Sequence, residues 1–187
     1  MYGMIDESLI QEFNGSDFEI NKITKAVDAD NSEIISELKY KSDVIHKYYN
    51  REIEAKIKTG SCDTCGHDDL QAAFNGATWG DILVLGLGLG VVPEYIIDNK
   101  SPSSVDVVEE NAQIISTVTW LDSNINVINN NEFSYTTDKE YDIIICDIFA
   151  EPSDVTQDNK DTLLSNYSSN LKAGGRIIIP VTEEIIS

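Results

Sequence analysis

The chain has 187 residues, 41% of them hydrophobic, and sets 33 acidic side chains against 13 basic ones for a formal charge of -20. That length fits one domain with or without a small appendage, and the apolar fraction excludes collagen-like and low-complexity chains. So acidic a surface repels phosphate backbones and anionic lipid, which argues against nucleic-acid and membrane partners and favours a small cationic one such as an amine. The opening MYGMIDESLI lacks the basic start and apolar core of a secretion signal, and glycines break the longest apolar run well short of membrane-spanning length. Three cysteines with no evident pairing suit a reducing compartment. The expectation is a soluble cytoplasmic protein.

Residues 1–78 hold eight basic and fifteen acidic residues and no long apolar strand. Their clearest patterns are DFEINKITKAV (17–27) and SEIISELKYKSDVIHKYYNREIEAKIKTG (32–60). In the second, Ile53, Ala55 and Ile57 alternate with charged neighbours, the period of a half-exposed strand, while Ile34, Ile35 and Leu38 also permit a helical turn. DADN (28–31) reads as a turn. These features predict a small β-rich or mixed appendage over 1–78. GSCDTCGH (60–67) offers Cys62, Cys65 and His67, half of what a structural zinc site requires, so no metal is expected. HDDLQAAF (67–74) predicts a helix flanking a ligand pocket, with Asp69 and Gln71 in reach of it.

From residue 79 onward strands and helices alternate. Strands are predicted over Ile82–Leu85, Val105–Val108, Ile125–Ile128, Ile143–Cys146 and Arg176–Ile179, and helices over Val91–Asp98, Asn111–Thr117 and Thr162–Leu171. Continuous rather than alternating apolar strands indicate burial on both faces, the mark of a parallel sheet covered by helices. The prediction over 79–187 is an α/β domain with a doubly wound, mostly parallel, Rossmann-like sheet, whose ligand sits at the carboxyl ends of the strands.

Within DILVLGLGLGVVPEYI (81–96), Gly86, Gly88 and Gly90 stand at every second position between the first strand and the first helix. Glycine permits a tight turn and close approach of backbone to ligand, and the helix start offers unpaired N–H groups. A dinucleotide fingerprint would need glycine at 91, where Val91 stands. The next strand ends in Glu109, nineteen residues beyond Gly90, where a carboxylate can accept from both hydroxyls of a ribose; Glu110 is the alternative one register step on. INVINNNEF (125–133) follows the third strand with Asn130, Asn131 and Glu132. An amide there can both accept from and donate to an adenine, and consecutive asparagines are equally ordinary turn formers. EYDIIICDIFAEP (140–152) runs a buried strand into Asp147, a carboxylate that needs a cationic or hydrogen-bonding partner.

The Gly-x-Gly-x-Gly spacing resembles motif I of the class I S-adenosylmethionine-dependent methyltransferases. Val84, where that family often carries an acid, resembles the spermidine synthase branch. The stretch 140–152 resembles the aminopropyltransferase signature, and DTLLSNYSSNLKAGGRIIIP (161–180) resembles the family's helix, its Leu-Lys-x-Gly-Gly turn at Gly174 and Gly175, and its fifth strand. The resemblance covers residues 79 to 180. It implies a truncated class I methyltransferase fold that binds S-adenosylmethionine or its decarboxylated form through the glycine loop, Glu109 or Glu110, and Asn130 or Asn131. It further implies that Asp147 holds and deprotonates an attacking amine, with Glu151 as a second acid displaced by one residue. The implied function is methyl or aminopropyl transfer to a small amine. The alternatives are acceptor-independent cleavage of the sulfonium compound and a catalytically degenerate nucleoside-binding protein. Motifs for amino-methylation of DNA bases are absent. Because the family fold continues past the fifth strand and Pro180 is followed by seven residues, that strand is expected to be an edge covered by residues 1–78 or by another subunit of a homo-oligomer.

Overall fold

The computed structural model describes residues 12–14, 18–26, 32–40, 78–149, 152–182 and 184–186. In the N-terminal part, β1 (Phe13–Asn14), β2 (Phe18–Ala26) and β3 (Ser32–Tyr40) form an antiparallel sheet in that order. Residues of β2 and β3 pair without a break from Phe18↔Tyr40 to Ala26↔Ser32. The pattern at Ile34, Ile35 and Leu38, compatible with strand or helix, is therefore strand. The predicted turn at 28–31, the strand around 53–57, the Cys62–His67 loop and the helix carrying Asp69 and Gln71 lie outside the described residues.

The second sheet has six strands in the order β6-β5-β4-β7-β8-β9. Its parallel members are β4 (Asp81–Leu85), β5 (Ser104–Glu109), β6 (Ile125–Asn129), β7 (Tyr141–Cys146) and β8 (Leu171–Ile179). The helices α1 (Val91–Lys100), α2 (Ala112–Thr117) and α3 (Gln157–Tyr167) connect them. The successive side chains of a strand point to opposite faces, so the apolar strands feed two cores. Ile82, Val84, Val105 and Val107 pack with Val92, Tyr95 and Ile96 of α1 and Ile114 of α2. Leu83, Leu85, Ile144 and Ile177 pack with Leu163 and Tyr167 of α3 on the other face. The chain winds from β4 outward to β6, then returns to place β7 on the other side of β4. That reversal is the switch point at which doubly wound sheets bind ligands.

The carboxy-terminal elements differ from expectation in three ways. First, α3 starts at Gln157 because the Thr156 hydroxyl caps it by accepting from the Asn159 N–H at 3.2 Å, and it stops at Tyr167. A 3-10 turn, Ser168–Asn170, follows, and β8 begins at Leu171 rather than at Arg176. Second, the expected Leu-Lys-x-Gly-Gly turn ahead of the strand is itself strand: Gly174 (φ 82°) and Gly175 lie in β8, opposite a register shift between Tyr141 and Ile143. A Cβ on Gly175 would sit 2.9 Å from the Tyr141 carbonyl oxygen, so the two strands touch backbone to backbone there. Third, β8 is not an edge. Residues 180–182 turn the chain, and β9 (Glu184–Ile186) pairs antiparallel with Ile177–Ile179. The chain supplies its own cover, which removes the reason for expecting residues 1–78 or a second subunit in that place.

At the amino-terminal ends of the strands, opposite the carboxyl ends, a charged network ties β4, β5, β7 and β8 together. Lys172 Nζ bridges Asp81 and Asp142 at 2.5 and 2.8 Å, and Lys139 Nζ reaches Asp106 at 2.8 Å and the Ser104 hydroxyl at 2.7 Å. Asp106 also accepts from Asn126 Nδ2 and the Tyr141 hydroxyl. Burial alone would raise the Asp106 acid, but these donors outweigh it and hold the carboxyl below its ordinary range. The Lys172 ammonium and the Ser104 hydroxyl lower Asp81 likewise.

Candidate functional site

At the carboxyl end of β4, Gly86, Gly88 and Gly90 adopt φ values of 93°, 53° and 79°, in the region that side chains with a Cβ avoid. The alternation of glycine with leucine builds this loop, since Leu87 and Leu89 turn into the core while the glycines carry the bends. Packing requires the glycine at 86, where a Cβ would lie 2.6 Å from the Asp147 carbonyl oxygen, whereas a Cβ on Gly90 would meet the flexible end of the Leu121 side chain.

Leu121 belongs to a strap, residues 118–122, pinned along the loop and the first turn of α1. The Trp120 indole donates to the Leu89 carbonyl at 3.0 Å, and the Asp122 N–H donates to Glu94 in the first turn of α1. Burial raises the Glu94 acid above its ordinary value, against the pull of that N–H. Sequence reasoning missed this strap; the bulky Trp120-Leu121 pair in an otherwise polar loop was its only signal.

The loop's counterpart is Glu109. Its side chain is 4% exposed, and its two oxygens accept from the Leu87 N–H at 3.0 Å and from the Asn111 N–H at 2.8 Å. The predicted ribose acid thus stands against the glycine loop, bonded to the residue between Gly86 and Gly88. Burial holds its acid above the ordinary value, against the pull of the backbone N–H donors.

The asparagines support this corner. Asn131 Nδ2 donates to the Glu110 carboxylate at 2.7 Å while Asn131 Oδ1 accepts from the Phe133 N–H at 3.0 Å. The Asn130 N–H donates to the Glu109 carbonyl, and Asn130 Oδ1 accepts from the Asn131 N–H. Both amides therefore work as turn formers, with Asn131 fixing Glu110.

Asp147 follows β7 immediately. Its N–H donates to the Leu85 carbonyl at 2.9 Å and its backbone packs on Gly86, which puts it beside the glycine loop at the switch point. Glu151, Asp69 and Gln71 lie outside the described residues. The remaining predicted residues, Gly86, Gly88, Gly90, Glu109, Glu110, Asn130, Asn131 and Asp147, gather at the carboxyl ends of β4 to β7.

Glu132 is the principal residue that sequence reasoning underrated. It is 6% exposed, accepts from the Glu110 N–H at 3.0 Å, and its carbonyl accepts from the buried Tyr167 hydroxyl. Burial, reinforced by the Glu109 charge, pushes its acid up to about 7. Its place after three asparagines in a turn gave no hint that it would be buried.

No family model matches the chain, and no curated protein is significantly similar to it in sequence. Solved structures to which the chain is similar include the glycopeptide N-methyltransferase MtfA with S-adenosylmethionine, 14% identical over 58% of this chain and 50% of that one, TM-score 0.47. DhpI in complex with SAH is 19% identical over 69% of this chain and 62% of that one, TM-score 0.49. An S-adenosylmethionine-dependent methyltransferase from Clostridium acetobutylicum is 17% identical over 69% of this chain and 55% of that one, TM-score 0.47. The chain spans roughly half the length of the first of these.

Proposed function

We propose that the chain is a transferase that binds S-adenosylmethionine, with the ribose hydroxyls on Glu109 and the amino-acid part of the ligand over the loop at 86–90. The observation that carries this reading is the bond from the Leu87 N–H to Glu109, which holds a buried carboxylate and a strand-loop-helix junction as one unit at the switch point. The Val91 that replaces the third glycine of a dinucleotide fingerprint favours a mononucleoside ligand over NAD.

The sulfonium carbon is activated already, so transfer requires alignment of a nucleophile in line with the leaving sulfur and removal of one proton. In this reading Asp147, beside the loop at the end of β7, takes that proton. A small cationic amine is the acceptor class this reading favours, because Glu109, Glu110, Glu132 and Asp147 crowd one end of a chain of charge -20. Aminopropyl transfer from decarboxylated S-adenosylmethionine, with Glu151 as a second acid, is the finer form of the same proposal.

The test is incubation of the chain with S-adenosylmethionine or its decarboxylated form, with and without putrescine, followed by mass spectrometry. Acceptor-dependent methylated or aminopropylated product is expected. Methylthioadenosine formed without acceptor would mean cleavage, and binding without turnover would mean a nucleoside-binding protein.

A further inference from the structure

The ladder between β5 and β6 ends at the pair Glu109↔Asn129. Past it, the exposed Asn129 side chain takes hold of the turn that carries Glu109. Asn129 Nδ2 donates to the Glu109 carbonyl at 2.9 Å and to the Glu110 carbonyl at 3.0 Å, spending both its hydrogens on consecutive carbonyls.

The second of these bonds reaches the Glu109 carboxylate through a single peptide unit. The unit joining Glu110 to Asn111 is planar, so its C=O and N–H are fixed relative to each other. Its C=O accepts from Asn129, and its N–H donates to Glu109 Oε1 at 2.8 Å. A donor on the carbonyl polarises the unit and strengthens the bond that its N–H makes. Glu109 Oε2 accepts in turn from the Leu87 N–H of the glycine loop. Every step from Asn129 to that loop is therefore a hydrogen bond or a rigid peptide.

The neighbouring asparagines have other tasks. Asn130 reaches the Glu109 carbonyl with its backbone N–H, which any residue except proline supplies. The Asn131 side chain is spent on the Glu110 carboxylate and the Phe133 N–H. An uncharged donor also suits position 129, since an aspartate would set a charge against two carbonyl oxygens and a lysine would compete for the carboxylates of Glu109 and Glu110.

We infer that Asn129 is a positioning residue for Glu109: by fixing the 110–111 peptide it aims the Glu109 carboxylate at the glycine loop. Its effect on ligand affinity rests on the nucleoside reading above, whereas its effect on Glu109 does not.

Hydrogen exchange of the ligand-free full-length chain tests the positioning. In Asn129→Ala the Leu87 and Asn111 amides should exchange at least tenfold faster, while Val84 and Ile144, inside the ladders of β4 and β7, keep the parent's rates. A side chain that only supported the fold would move all four together or none. Asn129→Asp supplies a second readout, because its carboxyl has the shape of the amide and gains an O–H donor only when protonated. Its excess of Leu87 exchange over the parent at the same pH should shrink at least threefold from pH 7.5 to pH 5.0, with no such recovery in Asn129→Ala. S-adenosylhomocysteine should bind Asn129→Ala at least fivefold more weakly than the parent.

Unchanged exchange at Leu87 and Asn111, a rise that includes Val84 and Ile144, or an Asn129→Asp excess that does not shrink overturns the inference even if the nucleoside binds. The selective rise, with no S-adenosylhomocysteine binding to the parent, upholds the positioning and sinks the nucleoside reading instead.

Discussion

Three glycines with positive φ separate two reasons for glycine. Gly86 lacks room for a Cβ against the Asp147 carbonyl and a Cβ on Gly90 would press only on the flexible end of Leu121, whereas Gly174 (φ 82°) faces nothing within 4 Å. Gly174→Ala should therefore cost only the backbone strain, about 1 kcal/mol, while Gly86→Ala adds a backbone collision and should cost about 2–4 kcal/mol. Urea unfolding of the two variants checks the ranking. The glycine spacing was legible in the sequence, but the neighbours that fill the space were not, because Asp147 lies 61 residues beyond Gly86 and Leu121 31 residues beyond Gly90, and both arrive only on folding. At Glu109 the prediction concerns charge. Glu109→Gln retains one acceptor for two N–H donors, so it should lose roughly 1–2 kcal/mol of stability and weaken S-adenosylhomocysteine binding tenfold or more, read by calorimetry.

Elements buried on both faces announced themselves. Each of the four strands β4 to β7 was placed within two residues of its observed start; β4, β5 and β7 are near-continuous Ile, Val and Leu covered on both faces, whereas the edge strand β6 alternates Ile and Val with exposed asparagines. The last helix was shifted because its first turn, Gln157 to Lys160, is polar and has no apolar stripe; only the Thr156 cap marks it. Likewise β9 is three residues long and carries too little pattern to be read. What joins these elements at their amino-terminal ends is the network around Asp106, invisible in sequence because its members are spread from Asp81 to Lys172. Asp106→Ala strands the Tyr141 hydroxyl and Lys139, which is itself partly exposed, and should cost about 2–3 kcal/mol. Because the folded Asp106 acid is lowered, its contribution is present above the ordinary carboxylate range and disappears as pH falls through the folded value. Acid unfolding followed by circular dichroism should accordingly be less pH-dependent in Asp106→Asn than in the parent.

For the molecule as a whole, charge dominates. With 33 acidic and 13 basic side chains, two of the lysines already committed to the Asp81–Asp106–Asp142 network, the folded chain repels itself. Sodium chloride at about 0.5 M should raise the thermal midpoint by a few degrees relative to low salt, since screening lengths shrink from tens of ångströms to a few. Under the proposed function, the same excess of acid would draw a cationic ligand to the carboxyl ends of the strands, where Glu109 meets the loop at 86–90. Isothermal titration of the full chain with S-adenosylhomocysteine, beside NAD and beside Glu109→Gln, tests that meeting point most directly. One-to-one binding of the nucleoside, weakened at least tenfold by the substitution and absent for NAD, is the predicted result. No heat with S-adenosylhomocysteine, or binding that the substitution leaves untouched, would contradict it.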